Sequence, residues 1–526
     1  MKDGIGCFIA AAVVAAAAHG LQAQAGDAAS GKCRKTLCVS SVDPRYFADS
    51  DGRTFIMIGC NICFPRLSYD STSPASHAEA EKKVLGHIRS FADNGGNFVR
   101  LWLGHSFFEI MPDRAGVYDP VREATLKKAV ALCEERGIKL KLTLESFRTI
   151  HPAGKEGNAL YATFFNRPLY SRHAKNMREF LHSEECARIY LGKAERLKEL
   201  GLGDSPAVAC WELWNEIDSI GPWRDDVGPW SDRMFSALRK MFPRQMTVQN
   251  LGSFSGPGAY DYYDYLGKAR FNDFMQVHRY LDPGAHLSVC RGPMDVLAAD
   301  SIRELLDRRT DCPAILAEVG AVKANHTGPS ELYAKDKLGT LLHDELFAPF
   351  FAGAAGCGQP WHWDHQYVDG NNLWWHFARF AEAVKGIDPA VEHFRPFRTE
   401  THRIRIWGLR GVRTTLMWCR DKESNWENEL VRGVEAATIS GERIPVKSAY
   451  RCYLPWENRW VDIKEGERMP DFKRSIILRS CNAAVAKESG GACPPDGYLL
   501  SRRKSQNAAR HSTRRSRHSS PDSNIR

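Results

Sequence analysis

The chain is 526 residues long, 43% hydrophobic and 26% charged. These are proportions of a globular protein, and they exclude a collagenous or wholly disordered chain. The formal net charge of +9 comes mostly from residues 500–526, where Arg502, Arg503, Lys504, Arg510, Arg514, Arg515, Arg517 and Arg526 stand against Asp522 alone; the remainder is nearly neutral, and no nucleic-acid partner is expected.

At the N-terminus, Lys2 precedes an apolar run over 5–18 and then Ala23-Gln24-Ala25. This is the pattern of a signal peptide over 1–25, cleaved after Ala25, and it predicts a secreted or periplasmic protein. No later stretch is long and apolar enough for a membrane helix, so no integral membrane segment is expected in the mature chain. Export permits disulfides among the fifteen Cys, with Cys33 and Cys38, or Cys481 and Cys493, close in sequence but not assignable as pairs. Cys60-x-x-Cys63 has no second C-x-x-C beside it, so it reads as ordinary thiols or a disulfide rather than a metal site.

From residue 54 the pattern alternates. A strand over 54–59 is followed by a helix opened by the capping box Ser76-x-x-Glu79 and stopped by Asn94-Gly95-Gly96. A second strand covers 98–103, a helix 121–136 and a third strand 138–144. Ser183 caps the next helix, with Glu184 and Glu185 in its first turn and Gly201 at its end. The fourth strand covers 208–214 and ends in Asn215-Glu216. A helix over 230–241, a fifth strand over 246–249 and a sixth over 274–280 follow. A helix over 295–309 leads to the seventh strand, 314–318, which ends in Glu318. A helix over 331–346, an eighth strand over 351–357 and a helix over 374–384 complete the series.

Eight strands alternating with helices predict a (β/α)₈ TIM barrel over 26–390, including an N-terminal lead-in. A doubly wound sheet is the alternative, but no Gly-rich turn follows the first strand. Beyond residue 390 short alternating strands predict a small all-β, sandwich-like domain over 391–480, and 481–526 reads as a disordered basic tail.

Barrel sites gather at the C-terminal ends of the strands. The polar and aromatic residues there are Arg100 on strand two, Asn215 and Glu216 after strand four, His278 and Tyr280 on strand six, Glu318 on strand seven, and Trp361, His362, Trp363 and Asp364 after strand eight. Two carboxylates on separate strands suit an acid and a nucleophile or base facing each other across a sugar ring. Glu212 shares a strand face with Glu216 and reads as a buried carboxylate in a structural ion pair. Glu145, also at a strand end, reads as a substrate contact. Asp218 reads as a loop cap. His362, Asp364 and His365 have aromatic neighbours and no evident fourth partner, so no metal is expected.

Taken in order, these residues resemble the clan A glycoside hydrolases, closest to the cellulase–mannanase family of retaining β-glycosidases, glycoside hydrolase family 5. The resemblance covers about residues 45–384. It rests on Arg100, Asn215-Glu216, His278-x-Tyr280, Glu318 and Trp361. One position departs from the family's pattern: the third strand ends in Glu145-Ser146-Phe147, where the family usually carries His. The resemblance implies that Glu216 is the general acid and base and Glu318 the nucleophile. Arg100 and Tyr280 would donate to Glu318 and hold its pKa down, and Asn215 would donate to the sugar 2-OH. His278 would orient Glu216 or contact substrate, Trp361 would form the floor under the sugar, and Trp363 would add stacking area. The implied partner is a β-linked oligo- or polysaccharide, with no cofactor. A non-catalytic carbohydrate-binding protein on the same scaffold is the other reading.

Overall fold

The computed structural model describes residues 36–65, 73–146, 169–220, 224–269, 272–442, 450–464 and 467–481. The expected signal segment 1–25, the tail from 482 onward, Cys33 and Cys493 lie outside the described residues. No helix among the described residues is long and apolar enough to cross a membrane.

The chain opens with a small antiparallel sheet, β1 (Leu37–Val39), β2 (Phe47–Asp49) and β3 (Thr54–Phe55). Five parallel strands follow, each beside the next: β4 (Gly59–Cys60), β5 (Phe98–Trp102), β6 (Lys139–Ser146), β7 (Val208–Asn215) and β8 (Met246–Val248). Then β9 (Met275–Leu281) and β10 (Ala314–Ala321) pair in parallel. Asp273 N donates to Thr247 O across the step from β8 to β9. On the far side, an extended segment runs between β10 and the start of β4. Ala355 N donates to Ala314 O, Cys357 N to Met57 O and Gln359 N to Leu316 O. The parallel elements therefore succeed one another in chain order, and the last lies against the first.

Every residue of β5, β7, β9 and β10 is buried, as befits parallel strands covered on both faces. β6 adds a less obvious pattern. Leu140, Leu142 and Leu144 alternate with Lys141, Thr143 and Glu145, and all six are buried. Successive side chains point to opposite sides of a strand, so the polar set faces one way and the leucines the other. Here the polar side is enclosed, not solvated.

Helices connect the strands. Helix Pro74–Asp93 starts with Pro at its first turn, where a missing N–H costs nothing, and Ser73 caps it by accepting from Ser76 N at 3.3 Å. The expected cap at Ser76 is displaced by three residues, because Ser73-Pro74 supplies both the acceptor and the fixed φ. Helix Glu184–Glu199 is capped by Ser183, as expected. Helix Thr340–Phe351 occupies part of the expected eighth strand, and the extended segment there begins only near residue 355. Phe347, Phe350 and Phe351 are buried in this helix, and an apolar run does not by itself separate the end of a helix from a strand.

The C-terminal strands form one six-stranded antiparallel sheet in the order β11 (Arg395–Glu400), β12 (Ile404–Arg410), β13 (Thr414–Asp421), β18 (Ser475–Cys481), β15 (Tyr450–Leu454) and β16 (Arg459–Ile463). A two-stranded ribbon, β14 (Thr438–Ile439) with β17 (Phe472–Lys473), supplies Ile439 and Phe472 to its outer apolar cluster. The inner face carries Trp407, Leu409, Leu416, Trp418, Tyr453 and Ile477, which join the main core with Phe347, Phe351 and Phe380 of the helices. Arg420 binds Asp344 through Nε at 2.6 Å and Nη2 at 3.1 Å. Arg405 Nη1 meets Asp295 at 2.7 Å. The expected sandwich is thus a sheet whose second layer is mostly the helical layer of the parallel part.

Candidate active site

The site begins with a charge network in which Arg100 and Glu212, both fully buried, are central. Arg100 donates to Glu212 Oε2 from Nε at 2.8 Å and from Nη2 at 2.5 Å. Nη2 also reaches Asn215 Oδ1 at 2.6 Å, and Nη1 donates to Glu318 Oε1. A guanidinium has five N–H groups in a fixed fork, so one side chain can hold three acceptors in register.

Glu212 is surrounded by donors: Thr143 Oγ1 at 2.5 Å, Gln276 Nε2 at 2.6 Å, Asn250 Nδ2 at 2.7 Å and Lys141 Nζ at 3.1 Å. Burial alone would raise its pKa. The charges of Arg100 and Lys141 and the surrounding hydrogen bonds outweigh burial and hold it at about 2. Glu212 is a permanently ionised structural carboxylate, in agreement with the sequence reading.

Glu216 and Glu318 converge. His278 Nδ1 lies 2.6 Å from Glu216 Oε1 and 3.4 Å from Glu318 Oε2. Each of the three residues offers one atom, and these atoms lie within 4.8 Å of one another. This is the single grouping of three such ligand residues among the described residues. A cation there would face the Arg100 guanidinium bound to Glu318, so the donor set suits a carboxylate pair better than a metal.

Burial raises the pKa of Glu216 well above the ordinary glutamate value, and the charges of Glu318 and Asp218 add to this. Glu318 is also raised by burial. The sequence reading expected it to be held down. The Arg100 charge and the Tyr280 hydroxyl, at 2.5 Å, do act in that direction, but desolvation is larger. The two carboxyls are nonetheless unequal: the cationic and hydroxyl donors serve Glu318, so the proton resides on Glu216. His278 falls well below the usual histidine value through burial and then the charges of Arg100, Lys141 and His326. It is a neutral imidazole.

Glu216 sits just past β7 with φ +49°, a left-handed conformation that costs a non-glycine residue about 1–2 kcal/mol. Its N–H donates to Asn250 Oδ1 at 2.6 Å. Asp218 accepts from Gly252 N at 2.7 Å, the loop-holding role expected of it. Asn215 Nδ2 is buried without a hydrogen-bond partner among the described residues, a donor left free beside the two carboxyls.

Trp361 is half-buried and tilts against Trp102, with ring centroids 5.1 Å apart. Trp363 is fully buried and meets Trp361 edge-on at 80°. It has no exposed face, in contrast to the stacking area expected of it. Glu145 is corrected too. It is enclosed, binding Lys193 Nζ at 2.9 Å and Tyr170 Oη at 3.0 Å. His362 Nδ1 pairs with Tyr333 Oη at 2.9 Å. Gly320 admits that pair: a Cβ there would come 2.7 Å from Tyr333 Oη and 3.2 Å from His362 Nδ1. The sequence reading missed Asn250, Gln276, Lys141 and Thr143. The polar alternation of β6 was the available signal for the last two. Cys60 and Cys63 are free, buried thiols.

No family model matches the chain, and no curated protein is similar to it in sequence. Matches are found among solved structures. A glycoside hydrolase family 5 structure from Bacteroides vulgatus superposes with a TM-score of 0.55 at 14% identity, covering 89% of this chain and 98% of that one. The endo-β-1,4-mannanase from Thermotoga petrophila gives 0.43 at 13% identity, covering 80% and 97%. A family 5 mannosidase from Rhizomucor miehei gives 0.41 at 14% identity, covering 61% and 85%. At 14% identity the likeness to the Bacteroides structure is one of fold.

Proposed function

We propose that the chain is a retaining β-glycoside hydrolase that cleaves O-glycosidic bonds in β-linked oligo- or polysaccharides of the mannan or glucan type. The observation that carries this reading is the meeting of Glu216 and Glu318 at His278 Nδ1, one raised in pKa by burial and by its neighbour and the other bound by Arg100 and Tyr280. Retaining enzymes hold their carboxyls about 5–5.5 Å apart and inverting ones about 6.5–9.5 Å. One oxygen of each carboxyl lies within 4.8 Å of the other, a close approach that supports the retaining reading. The run of parallel elements from Met57 to Pro360 is a (β/α)₈ barrel in this reading, with the site at the C-terminal ends of its strands.

Glu318 Oε attacks the anomeric carbon while Glu216 gives its proton to the glycosidic oxygen, and the aglycone leaves as an alcohol. Glu216, now ionised, takes a proton from water, whose oxygen attacks the anomeric carbon and releases Glu318 with net retention. Arg100 spreads the charge of Glu318 in the free enzyme. Asn215 Nδ2 donates to the substrate 2-OH, where contacts strengthen in the transition state, and Trp361 stacks under the sugar. The segment 1–25 directs export, which N-terminal sequencing of the secreted protein tests.

E216Q and E318Q each lower turnover of β-aryl glycosides by several orders of magnitude. Azide restores a small-residue variant at Glu318 with an α-linked product from a β-glycoside; near wild-type turnover in either Gln variant overturns the assignment. A non-catalytic binding protein has no use for two opposed carboxyls of unequal acidity, so this alternative is not favoured.

A further inference from the structure

Asn250 follows the short strand β8 and makes contacts in three directions. Its Oδ1 accepts from Glu216 N at 2.6 Å, its Nδ2 lies 2.7 Å from Glu212 Oε1, and the same Nδ2 lies 3.4 Å from His278 Nε2. A peptide N–H can only donate, so the atom facing Glu216 N is the oxygen. The amide orientation is thereby fixed, and the NH₂ group faces Glu212 and His278. Glu212 takes one of its hydrogens. The other faces Nε2 of an imidazole that burial and the neighbouring Arg100, Lys141 and His326 keep neutral.

We infer that Asn250 is a positioning residue that selects the Nδ1–H tautomer of His278 and thereby fixes which oxygen of Glu216 carries the acid proton. Nε2 accepts from the amide, so the single ring proton is on Nδ1. Nδ1–H donates to Glu216 Oε1, 2.6 Å away, and leans toward Glu318 Oε2 at 3.4 Å. The carbonyl oxygen of a carboxylic acid is a better acceptor than its hydroxyl oxygen, so the oxygen facing Nδ1–H is the carbonyl and the proton is on Oε2. With the opposite tautomer, Nδ1 would accept the proton of Glu216 and withdraw it from the glycosidic oxygen. The Oδ1 contact completes the device, because it holds the left-handed peptide that aims the carboxyl. The groups facing His278 are Glu216, Glu318, Arg100, Lys141, His326 and Asn250, and Asn250 is the neutral donor among them.

This inference rests on the glycosidase reading for its catalytic consequence but not for its structural content. The test is ¹⁵N NMR of histidine-labelled full-length protein, with His278 identified by comparison with H278Q. The wild type is expected to show the Nδ1-protonated tautomer, and an Nε2-protonated ring in the wild type overturns the inference without any variant. N250D keeps an oxygen for Glu216 N and loses the amide donor. It is expected to shift the ring toward the Nε2–H tautomer, lower kcat about 100-fold with KM within about twofold, and move the basic limb of the pH profile. An unchanged tautomer and an unchanged limb in folded N250D also overturn it. If the tautomer responds as expected while the wild type hydrolyses no β-glycoside, the proposed function fails and the assignment of Asn250 stands.

Discussion

Glu212 and Glu318 share one guanidinium, that of Arg100. The first is held at about 2 and stays ionised; the second is the proposed nucleophile. The guanidinium is divided between a fixed anion and a working one, and its position is set by the anion that never changes.

Lysine cannot replace this arrangement, since a single ammonium lacks the fork that reaches both carboxylates. R100K should retain the fold and lose about 10²–10³ in kcat/KM, the scale of one lost donor at a developing charge. Steady-state kinetics on an aryl β-glycoside checks this, and less than a tenfold loss would sink the claim.

The pH profile should be bell-shaped. The raised pKa of Glu216 keeps the acid form present above the ordinary glutamate range near 4.3, and activity falls as pH rises through the shifted value. Tyr280 lowers the pKa of Glu318 through its hydroxyl, so Y280F should move the acidic limb of kcat/KM to higher pH. A limb that stays in place, or moves down, contradicts the assigned hydrogen bond.

Lys193 is fully buried between Glu109 Oε2 at 3.0 Å and Glu145 Oε1 at 2.9 Å, and it also donates to Leu144 O at 2.7 Å. K193M leaves two carboxyls enclosed without their cation and should cost about 3–5 kcal/mol. Urea unfolding measures the loss; a change below about 1 kcal/mol would falsify the network's structural role.

Glu345 presents the reverse case. It is buried, and neither carboxyl oxygen has a hydrogen-bond partner among the described residues. Burial raises its pKa well above the usual value, with Asp336 and Asp344 adding to the shift. The folded state holds a proton that the unfolded chain releases above about pH 4.3. This group therefore costs stability increasingly as pH rises from there toward its folded pKa, and the penalty fades in acid. E345M should raise stability at pH 7 by about 1–3 kcal/mol and flatten the dependence of Tm on pH. Parallel Tm curves for variant and wild type count against the idea.

Arg100, Glu216, His278, Tyr280 and Glu318, read in the sequence from the polar residues on and after apolar runs, come together in the structure through the contacts of Arg100, His278 and Tyr280 with the two carboxyls. The misses have physical reasons. The fifth strand is short, and Asn250 lies one residue past the segment read as strand. Glu145 looked like a ligand because its cation, Lys193, is 48 positions away in sequence and on a helix. Trp361 and Trp363 have the same side-chain chemistry, so the sequence does not separate the half-buried ring from the fully buried one. The eighth strand was placed early because an apolar run reads alike as helix or strand.

The C-terminal sheet has a practical consequence. Trp407, Trp418 and Tyr453 fill the same interior as Phe347 and Phe380, so no seam separates a catalytic half from an accessory one. A fragment ending near residue 390 would uncover a broad greasy surface together with orphaned Asp295 and Asp344. Such a truncation should be recovered as aggregate, and attempts to graft the strands from 395 onward onto another enzyme would begin with half of an interior.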